Sequence, residues 1–548
     1  MGSSPEQSVL LDDFLQPMSV DVEKFHVLSR AFMQNFMQLA ADSLDQFLPT
    51  PISESILRPV AEYGRGSGGT NLRVGFVELS ASDDGNDFKP NGTKHVSHGY
   101  ETNKTRVATD DDDDGDDDVG GRCISASPSN RLHRHLERSW PIANHLKNDN
   151  ADSLFLWIGQ CIAEVVAEGC PKFSLARDTP IPLGVTFSFP MEQPSLDRAN
   201  ITSMGKGFAI PPNVDLGVCL INAYDQHRHG STQSLPPIYA AAIANDSVST
   251  LVSFIFHYDG VAHRRAAMGL ILGTGSNATI PVKLSMLHPS KRPRNVNVLA
   301  GEKVEDAKIA VNTEWSIKGT EPPMRELGLI TAWDDELSAQ NEQPGFQPLE
   351  YMTAGRYLGE LGRIMLLDYL HGTCKVSRAC LPPKLLLQDS LTTTFLSHFK
   401  PLDTTSLLTA LRSEFPESTD SGFAWTEHDA EALYRIAKAI EVRAAGIIAA
   451  AILALLTVGG ELPAEEDASI AGPDGRDGCE LGVGYTGGCV VHFQDYLEDC
   501  QDFVNQLMAR RFGTESGWSV VMRPCHDGGI TGAGILVAAA LSSQRSQT

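Results

Sequence analysis

Apolar residues return at regular spacings along most of this chain, and the spacing changes from segment to segment. Between residues 21 and 46 they recur every three or four positions, which predicts an opening amphipathic helix that the prolines of FLPTPI end. The residues near its apolar face are Phe25, Leu28, Phe32, Phe36 and Leu39. The stretch NLRVGFVEL instead alternates apolar and polar residues, which is typical of a half-buried strand.

The rest of the chain alternates strand-like and helix-like segments. DSLFLWIGQCIAEVVAEG predicts a helix, IPLGVTFSFP a strand, and residues 350–372 and 427–458 carry long helical patterns. ELGVGYTGGCVVHF indicates a strand, a glycine turn and a second strand, whereas GITGAGILVAAAL indicates a glycine turn that opens a helix. This alternation predicts an α/β fold. The two strand-glycine-strand units, near residues 68 and 487, suggest a duplicated fold with a nucleotide between its halves.

Between about residues 81 and 134 the regular pattern stops, and Asp, Asn, Gly, Ser and Thr dominate. Eight aspartates lie between residues 110 and 118 alone. A stretch of this composition buries too little apolar surface to offset its ordering entropy, so we expect a disordered insert at a hairpin tip. Two interpretations stay open: a solvated spacer, or a docking segment for a basic protein partner.

Length and charge narrow the classes of protein. At 548 residues the chain is longer than one hydrophobic core supports, which predicts two lobes. A net charge of -25 argues against direct binding to nucleic acid. The N-terminus lacks the features of a secretory signal, and the most apolar stretch, residues 444–458, is short and favours a buried core helix over a transmembrane segment. We therefore expect an intracellular protein, first in the cytoplasm, with the mitochondrial surface and the nucleus as alternatives.

Cysteine and histidine give no pattern for a metal site. The ten cysteines contain no CxxC pair, which favours reduced thiols. The histidine pairs His133–His135 and His227–His229 lack cysteine or acid at suitable spacing, and we interpret them as exposed loop residues. No metal ligand is predicted from these residues.

Seven short motifs occur in one order along the chain: GGTNLRV, LGVTFSFP, GKGF, ANDSVSTL, LGTGSNA, VNTEW and LEYMTAGRYLGELGRIMLLDYL. Together they resemble the eukaryotic hexokinase family over about residues 20 to 545, interrupted by the acidic insert. The resemblance implies a two-lobed α/β fold of the actin-like ATPase type, with sugar in the cleft and ATP at its mouth. The parts it implies are an N-terminal helical part of the large lobe (1–59), a small lobe with the insert (60–243), the rest of the large lobe (244–526), and a C-terminal helix that returns to the small lobe (527–548).

The same resemblance assigns a set of polar residues to a hexose. Asp246 matches the general base that takes the proton of the reacting hydroxyl, and Lys206 would stabilise charge on the transferring phosphoryl group. Taken singly, each of these residues also fits a turn, a helix cap or a salt bridge, but their shared order favours a polar sugar pocket. The implied sugar contacts are Ser188, Lys206, Asn245, Asp246, Asn277, Glu314 and Glu350.

Glycine turns supply the implied site for ATP, because glycine lets backbone amides approach phosphates closely. Arg73 either serves the phosphates or pairs locally. The implied nucleotide contacts are Gly68, Gly69, Thr70, Arg73, Gly273, Thr274, Gly275, Gly487 and Gly488.

The chain departs from the family pattern where a metal would be held. The family's Asp-Leu-Gly-Gly-Thr corresponds to a stretch that begins with Gly66, and its Val-Asp-Gly-Ser corresponds to one in which Thr486 replaces the aspartate. The segment AEYGR before Gly66 replaces an apolar strand, and Met204-Gly205 replaces a Trp-Thr pair beside Lys206. These losses weaken the expected site for Mg²⁺ and ATP and leave most sugar contacts in place.

Three functions follow as alternatives. The first is a hexose-binding regulator of carbon and nutrient response with weak or no phosphorylation of sugar, similar to the catalytically degenerate hexokinase-like proteins of fungi. The second is an ATP-dependent hexokinase that phosphorylates glucose or a related hexose at the 6-hydroxyl, with Mg²⁺ held by other groups. The third is a scaffold that binds neither ligand.

Overall fold

The computed structural model describes most of the chain outside the acidic insert and the first glycine-rich turn. The described residues are 5–58, 66–67, 72–79, 132–142, 151–202, 210–229, 234–259, 263–397, 402–417, 422–464, 479–514 and 516–545. The predicted insert at 81–131 and the segment 61–65 lie outside these ranges.

A six-stranded mixed sheet forms the centre of the larger part of the molecule, in the order β1-β12-β11-β10-β13-β14. Strand β10 pairs in parallel with β13, and β13 with β14, whereas β1, β12, β11 and β10 pair antiparallel. Its strands are β1 (Leu48–Ser53), β10 (Arg264–Leu272), β11 (Ser276–Lys283), β12 (Lys308–Asn312), β13 (Cys479–Thr486) and β14 (Trp518–Pro524).

Three smaller sheets come from the segment between residues 66 and 244. A parallel sheet has the order β2-β5-β9, an antiparallel pair joins β3 and β4, and β6, β7 and β8 form an antiparallel sheet that the sequence pattern did not predict. The strands are β2 (Gly66–Ser67), β3 (Leu72–Leu79), β4 (Leu132–Trp140), β5 (Ile181–Thr186), β6 (Met191–Ser195), β7 (Arg198–Ile201), β8 (Val214–Asp215) and β9 (Ile238–Ala244).

Helices cover these sheets and supply most of the core. The helix Glu427–Val458 packs against the helix Val22–Asp42 inside the largest apolar cluster, and the helix Gly528–Arg545 packs on Asp246–Tyr258 and on β2, β5 and β9. The others are Pro5–Leu15, Glu54–Leu57, Ala151–Lys172, Leu216–Arg228, Glu321–Glu326, Ala332–Gln340, Pro348–Thr353, Gly355–Asp368, Thr393–Leu396, Thr404–Glu414, Gly488–His492 and Tyr496–Phe512.

The N-terminal helix prediction was right in kind and wrong at its ends. The helix runs from Val22 to Asp42, follows a shorter helix, Pro5–Leu15, and buries all the predicted aromatic positions. It ends at Asp42, before the prolines, and the prolines themselves lie in β1, Leu48–Ser53. Strand β1 lies at an edge of the sheet, where a residue without a backbone N–H is tolerated.

Three further predictions are corrected by the structure. Residues 132–134 belong to strand β4 and not to the insert, so His133–His135 lie on a strand, where His135 Nε2 contacts Glu78 Oε2 at 3.0 Å. His227 lies in the last turn of the helix Leu216–Arg228, and its Nε2 contacts the carbonyl of Leu156 at 3.1 Å. The segment GGCVVHF forms the helix Gly488–His492 and not a second strand, because Gly487 has a φ of +131° and turns the chain out of the sheet.

Among the residues that the structure describes, two helices are long and apolar enough to cross a membrane by length and composition alone. They are Ala151–Lys172 and Glu427–Val458. In the second, 89% of the most apolar window is buried inside the protein, and residues 444–456 are all buried. The structure therefore uses the most apolar segment as a core helix, as its alanine-rich composition predicted.

Candidate functional site

Four of the candidate sugar residues that the structure describes follow the carboxyl ends of strands. Asn245 and Asp246 come directly after β9, Ser188 follows β5 by two residues, and Glu314 follows β12 by two residues. Asn277 lies in β11, just beyond the tight turn from β10. The crevice outside the carboxyl ends of strands is the usual ligand position in open α/β sheets.

Ser188 and Asn245 are held beside one another by the backbone around them. The amide of Phe187 donates to the carbonyl of Ala244 at 2.9 Å, and Asn245 Nδ2 donates to the carbonyl of Phe189 at 3.5 Å. Ser188 lies between these two contacts and is exposed, whereas Asn245 is 4% exposed. The structure thus brings an exposed hydroxyl next to a buried amide.

Asp246 begins the helix Asp246–Tyr258, and Asn245 is its N-cap. Both side chains accept from the amide of Ser247, each at 2.9 Å. The helix lies so close to β10 that a Cβ on Gly269 would stand 2.7 Å from the carbonyl oxygen of Ser247. This glycine therefore allows the helix that carries the predicted base to pack closely against β10.

Asn277 and Glu314 converge on one point of the central sheet. Asn277 Nδ2 donates to Glu314 Oε1 at 3.2 Å and to Asn312 Oδ1 at 2.8 Å. Asn312 Nδ2 donates to the same Glu314 Oε1 at 2.7 Å. Glu314 is 6% exposed and has a φ of +45°, an uncommon backbone conformation for a residue other than glycine.

Glu350 joins the same edge from the helix Pro348–Thr353. Its Oε2 accepts from the amide of Ser276 at 2.9 Å, and Ser276 Oγ accepts from Trp315 Nε1 at 3.0 Å. Glu350 is 2% exposed, and its partner Ser276 precedes Asn277 in β11. This contact fixes Glu350 relative to the turn between β10 and β11.

Three residues outside the predicted set connect the predicted ones. Ser247 Oγ donates to Asn245 Oδ1 at 2.7 Å and contacts Thr279 Oγ1 at 2.7 Å, and Asn312 contacts both Asn277 and Glu314. All three are buried. Ser247 follows the predicted Asp246 directly, Thr279 lies two residues after Asn277, and Asn312 lies two residues before Glu314. This closeness along the chain was the only sequence signal for them.

The turns that contain Gly273 and Gly487 lie against each other at the ends of β10 and β13. A Cβ on Gly487 would stand 2.3 Å from the carbonyl carbon of Leu272 and 2.5 Å from the amide nitrogen of Gly273. The carbonyls of Gly273 and Thr274 accept from the amides of Gly355 and Arg356, at 2.8 and 3.2 Å. Gly273 and Gly487 add no side chain to this narrow backbone surface, as a phosphate turn requires, and the amide of Gly273 donates to the carbonyl of Gly275 at 3.0 Å.

Arg73 pairs locally. Its Nη1 donates to Asp527 Oδ1 at 2.5 Å and lies 3.9 Å from Glu137 Oε1, while Arg134 Nη1 lies 2.6 Å from Asp527 Oδ2. Burial raises the pKa of Asp527, but hydrogen bonds from Arg134 and Arg73 outweigh it and hold the pKa below its usual range. Asp527 is thus an ionised group already engaged by two arginines.

The described residues offer glycine turns for the phosphates of a nucleotide but no carboxylate at the two positions expected to hold its metal ion. The glycine turns at residues 273 and 487 fit phosphates, whereas β2 begins with Gly66 and β13 ends with Thr486, which offer no carboxylate. Four predicted contacts, Gly68, Gly69, Thr70 and Lys206, lie outside the described residues, as do residues 204 and 205. The glycine turns at residues 273 and 487 are therefore compatible with a phosphate in the type of residue they contain, and Gly66 and Thr486 provide no carboxylate for Mg²⁺.

Within the described ranges, one group of carboxylates has the spacing of a metal site, and a lysine occupies its centre. Lys438 Nζ donates to Glu441 at 2.7 Å, to Asp495 at 2.9 Å and to Asp499 at 2.6 Å. Burial raises the pKa of Glu441 to about 8. The ammonium group contacts all three carboxylates, while Glu441 Oε1 has no hydrogen-bond partner among the described residues, and we interpret the cluster as structural.

Comparison with known proteins gives consistent results over nearly the whole chain. Two family models, both described as hexokinase, match residues 10–256 and 267–539. Hexokinase-7 of Oryza sativa subsp. japonica is 25% identical over 459 residues, which cover 79% of this chain and 85% of that protein. Hexokinase-1 of Arabidopsis thaliana is 25% identical over 431 residues, which cover 77% of this chain and 78% of that protein.

Solved structures show the same fold. The hexokinase of Schistosoma mansoni complexed with glucose covers 98% of this chain with a TM-score of 0.68 and 19% identity. A second hexokinase crystal structure covers 98% of the chain with a TM-score of 0.66 and 20% identity. In both comparisons the whole of the other chain is matched. The two-lobed α/β architecture implied by the sequence motifs is confirmed.

Proposed function

Because this chain belongs to the hexokinase family, we propose that it is a hexose-binding regulator of carbon and nutrient response with weak or no phosphorylation of sugar. The observation that carries the proposal is a contrast between two sets of strand ends. Asn245, Asn277 and Glu314 converge through buried hydrogen bonds, whereas Gly66 and Thr486 lack the expected carboxylates.

The sugar side supports binding of a glucose-like hexose. A hexose presents a ring of hydroxyls, each of which needs a donor or an acceptor at a fixed position. Amides from Asn245 and Asn277 and carboxylates from Asp246, Glu314 and Glu350 offer both kinds of group. Their positions are set by the strand ends and by hydrogen bonds among buried side chains, so the site is organised before a ligand enters.

The phosphate side supports slow transfer. Phosphoryl transfer depends on positioning and on neutralising the charge of the phosphates, which a bound Mg²⁺ supplies in this family. Replacement of two expected acids by Gly66 and Thr486 removes the groups that would hold such an ion, while the glycine turns keep a surface for phosphate. The expected result is sugar binding that is uncoupled from efficient turnover.

Regulation would follow from closure of the two lobes on the sugar. A ligand that prefers the closed state shifts the population towards it, whether or not chemistry follows. In this proposal the protein acts inside the cell, first in the cytoplasm, and the acidic insert docks a basic protein partner that reads the closed state.

A second function, ATP-dependent phosphorylation of glucose or a related hexose at the 6-hydroxyl, is favoured by one observation. Asp246, the residue that matches the general base, is retained at a helix N-terminus beside Asn245. A base in this position contributes about 100- to 10,000-fold to a rate once the phosphates are neutralised by other groups.

The two functions are separated by ADP release from Mg-ATP in the presence of D-glucose at high enzyme concentration. Asp246→Asn, expressed and purified identically, is the control for contaminating kinases, because it keeps the shape of the side chain and loses the base. Equal rates for the two proteins are expected. A rate for the unaltered chain well above that of Asp246→Asn would establish the second function and overturn the first.

A further inference from the structure

Asn312 is a buried amide that lies at the centre of the candidate sugar residues without being one of them. It is the last residue of β12 and is 3% exposed. Its backbone position is opposite Leu48 on one neighbouring strand and opposite Thr279 on the other. Strands on both sides therefore hold this residue, and its side chain leaves the sheet from a fixed point.

The two ends of the Asn312 amide contact two different candidate sugar residues. Its Nδ2 donates to Glu314 Oε1 at 2.7 Å, and its Oδ1 accepts from Asn277 Nδ2 at 2.8 Å. Glu314 Oε1 accepts from the Nδ2 atoms of both Asn312 and Asn277, so it determines which end of the Asn312 amide faces it. The other end must then be the oxygen, which orients Asn277.

Asn312 also contacts the unusual backbone of Glu314. The amide nitrogen of Glu314 donates to Asn312 Oδ1 at 3.4 Å, and the carbonyl of Glu314 accepts from Gln46 Nε2 at 3.0 Å. An Asn side chain that accepts from the amide two residues later is a common way to stabilise a turn. In this turn Glu314 has a φ of +45°, and its carboxylate accepts from the side-chain amide of Asn312.

A hydroxyl chain extends this arrangement to the start of the helix that carries Asp246. Ser247 Oγ donates to Asn245 Oδ1 at 2.7 Å, contacts Thr279 Oγ1 at 2.7 Å and lies 3.4 Å from Asn312 Oδ1. Because Ser247, Thr279 and Asn312 are all buried, their contacts have few alternatives in solvent.

We propose that Asn312 is the positioning residue of the sugar site: one buried amide sets the orientation of Asn277 and Glu314, which come from different strand ends. The inference rests on the proposed hexose binding and adds the residue on which the geometry of that site depends. Asn312 itself is assigned no contact with the sugar.

The test replaces the amide by an acid of the same shape, Asn312→Asp, and measures the Kd for D-glucose by calorimetry. Two carboxylates then face each other in place of the amide and Glu314, and like charges this close cannot both ionise freely. At about pH 8.5 we expect the Kd to rise about 30-fold, since a charge-assisted hydrogen bond becomes a repulsion. At about pH 5.5 a shared proton restores one hydrogen bond, and the expected rise is only about threefold.

Asn297→Asp is the matched control. Asn297 is a partly buried asparagine whose Nδ2 donates to Ser543 Oγ at 3.0 Å, so the same substitution there also loses a hydrogen bond. Its Kd is expected to stay within about twofold of the unaltered chain at both pH values. Asn312→Ser, which removes the amide without adding charge, is the second variant. It is expected to raise the Kd about tenfold at both pH values, and it decides the question if Asn312→Asp does not fold.

The outcomes separate the two proposals. Binding of D-glucose by the unaltered chain and by Asn297→Asp, together with a pH-dependent loss in Asn312→Asp, supports the positioning role. If Asn312→Asp and Asn312→Ser bind as tightly as the unaltered chain, or if Asn312→Asp loses the same factor at every pH, the positioning role is wrong and hexose binding stands. If the unaltered chain binds no D-glucose, hexose binding fails and the positioning role fails with it.

Discussion

The candidate sugar edge and the candidate phosphate edge of this protein differ in the chemistry of their side chains. At the sugar edge, the ends of β9 and β12 and the start of β11 carry Asn245, Glu314 and Asn277. A direct hydrogen bond of 3.2 Å joins Asn277 to Glu314, and hydrogen bonds of 2.8 and 2.7 Å connect the two through Asn312. At the phosphate edge, β2 begins with Gly66 and β13 ends with Thr486, and the close contact is between backbones.

The difference indicates what each edge tolerates. A sugar site needs several polar side chains at fixed positions, and losing one leaves buried partners unsatisfied. A phosphate turn is made by backbone amides and needs only small residues, so its shape survives when the acids beside it are lost. The proposed function therefore treats binding of sugar and transfer of phosphate as separable, and the following variants are designed to separate them.

The largest effect is expected at the sugar edge. Glu314→Ala removes the carboxylate that accepts from both Asn312 and Asn277 and leaves two buried donors without it. The expected result is an increase of about 100-fold in the Kd for D-glucose, since a charge-assisted hydrogen bond and its unsatisfied partners are lost together. Glu336→Ala, an exposed glutamate on the helix Ala332–Gln340, is the control and is expected to have no effect. An unchanged Kd in Glu314→Ala would remove Glu314 from the sugar site.

The second effect tests whether the phosphate turn contributes to stability independently of the sugar edge. Gly487→Ala places a Cβ at a residue with a φ of +131°, and that Cβ would stand only 2.3 Å from the carbonyl carbon of Leu272. We expect the free energy of unfolding to fall by about 2 kcal/mol. Gly328→Ala is the matched control, because Gly328 has a φ of +62° with open space around it. Its expected loss is about 1 kcal/mol or less, from backbone conformation alone. Equal losses in urea titrations would show that the contact between the two turns is unimportant.

The third effect is a gain at the phosphate edge. The double variant Gly66→Asp with Thr486→Asp restores the two expected acids, and we expect ADP release with D-glucose to rise about tenfold over the unaltered chain. The Kd for D-glucose is expected to stay within about threefold. The control is Gly66→Asn with Thr486→Asn, which has the same size and no charge. A rise in both double variants, or in neither, would contradict the role assigned to these two positions.

The last effect is on the pH dependence of stability and concerns the carboxylate cluster around Lys438, which joins the helix Glu427–Val458 to the start of the helix Tyr496–Phe512. Burial raises the pKa of Glu441 from 4.5 to about 8, so the folded state binds this proton more tightly than the unfolded state. The stabilising contribution is present below about pH 4.5 and is lost as the pH rises through about 8, with a slope of up to about 1.4 kcal/mol per pH unit.

Glu441→Gln imitates the protonated form, and it is expected to flatten the dependence of unfolding free energy on pH over this range, whereas Glu336→Gln is expected to leave it unchanged. Urea titrations at several pH values measure both. A pH dependence that persists in Glu441→Gln would assign the titration to another group.

The parts of the fold that the sequence predicted well are those with a strong local signal. The helix Glu427–Val458 was predicted at both ends from its long helical pattern of apolar residues. In the structure, Thr426 and Asp429 form a capping box at its start, and Gly459 follows its end. Strand β3 was predicted from its alternation, and its observed burial follows that pattern apart from an irregularity at its centre.

The parts that were missed depend on contacts between distant segments. Strand β4 is rich in His, Arg and Glu and pairs only with β3 among the described strands, so its outward-facing residues hide the alternation. The residues after Gly487 have strand-like composition but form a helix, because the contact between Gly487 and Leu272 turns the chain.

The candidate site followed the same rule. Ser188, Asn245, Asp246, Asn277, Glu314 and Glu350 were predicted from motif order, and the structure brings them to neighbouring strand ends and loops. Arg73 pairs with Asp527, a protein group that is more than 450 positions away along the chain, so the sequence could not show this contact. Asn312 was likewise invisible as a connecting residue, because its role depends on a distance to Asn277 that spacing along the chain does not give.

The most direct test of the account is a calorimetric titration of the unaltered chain with D-glucose in the absence of nucleotide, with L-glucose as the control sugar. The account predicts one saturable site for D-glucose and no heat of binding for L-glucose, because the site is organised by fixed donors and acceptors. Absence of binding by D-glucose, or equal binding of the two enantiomers, would contradict it.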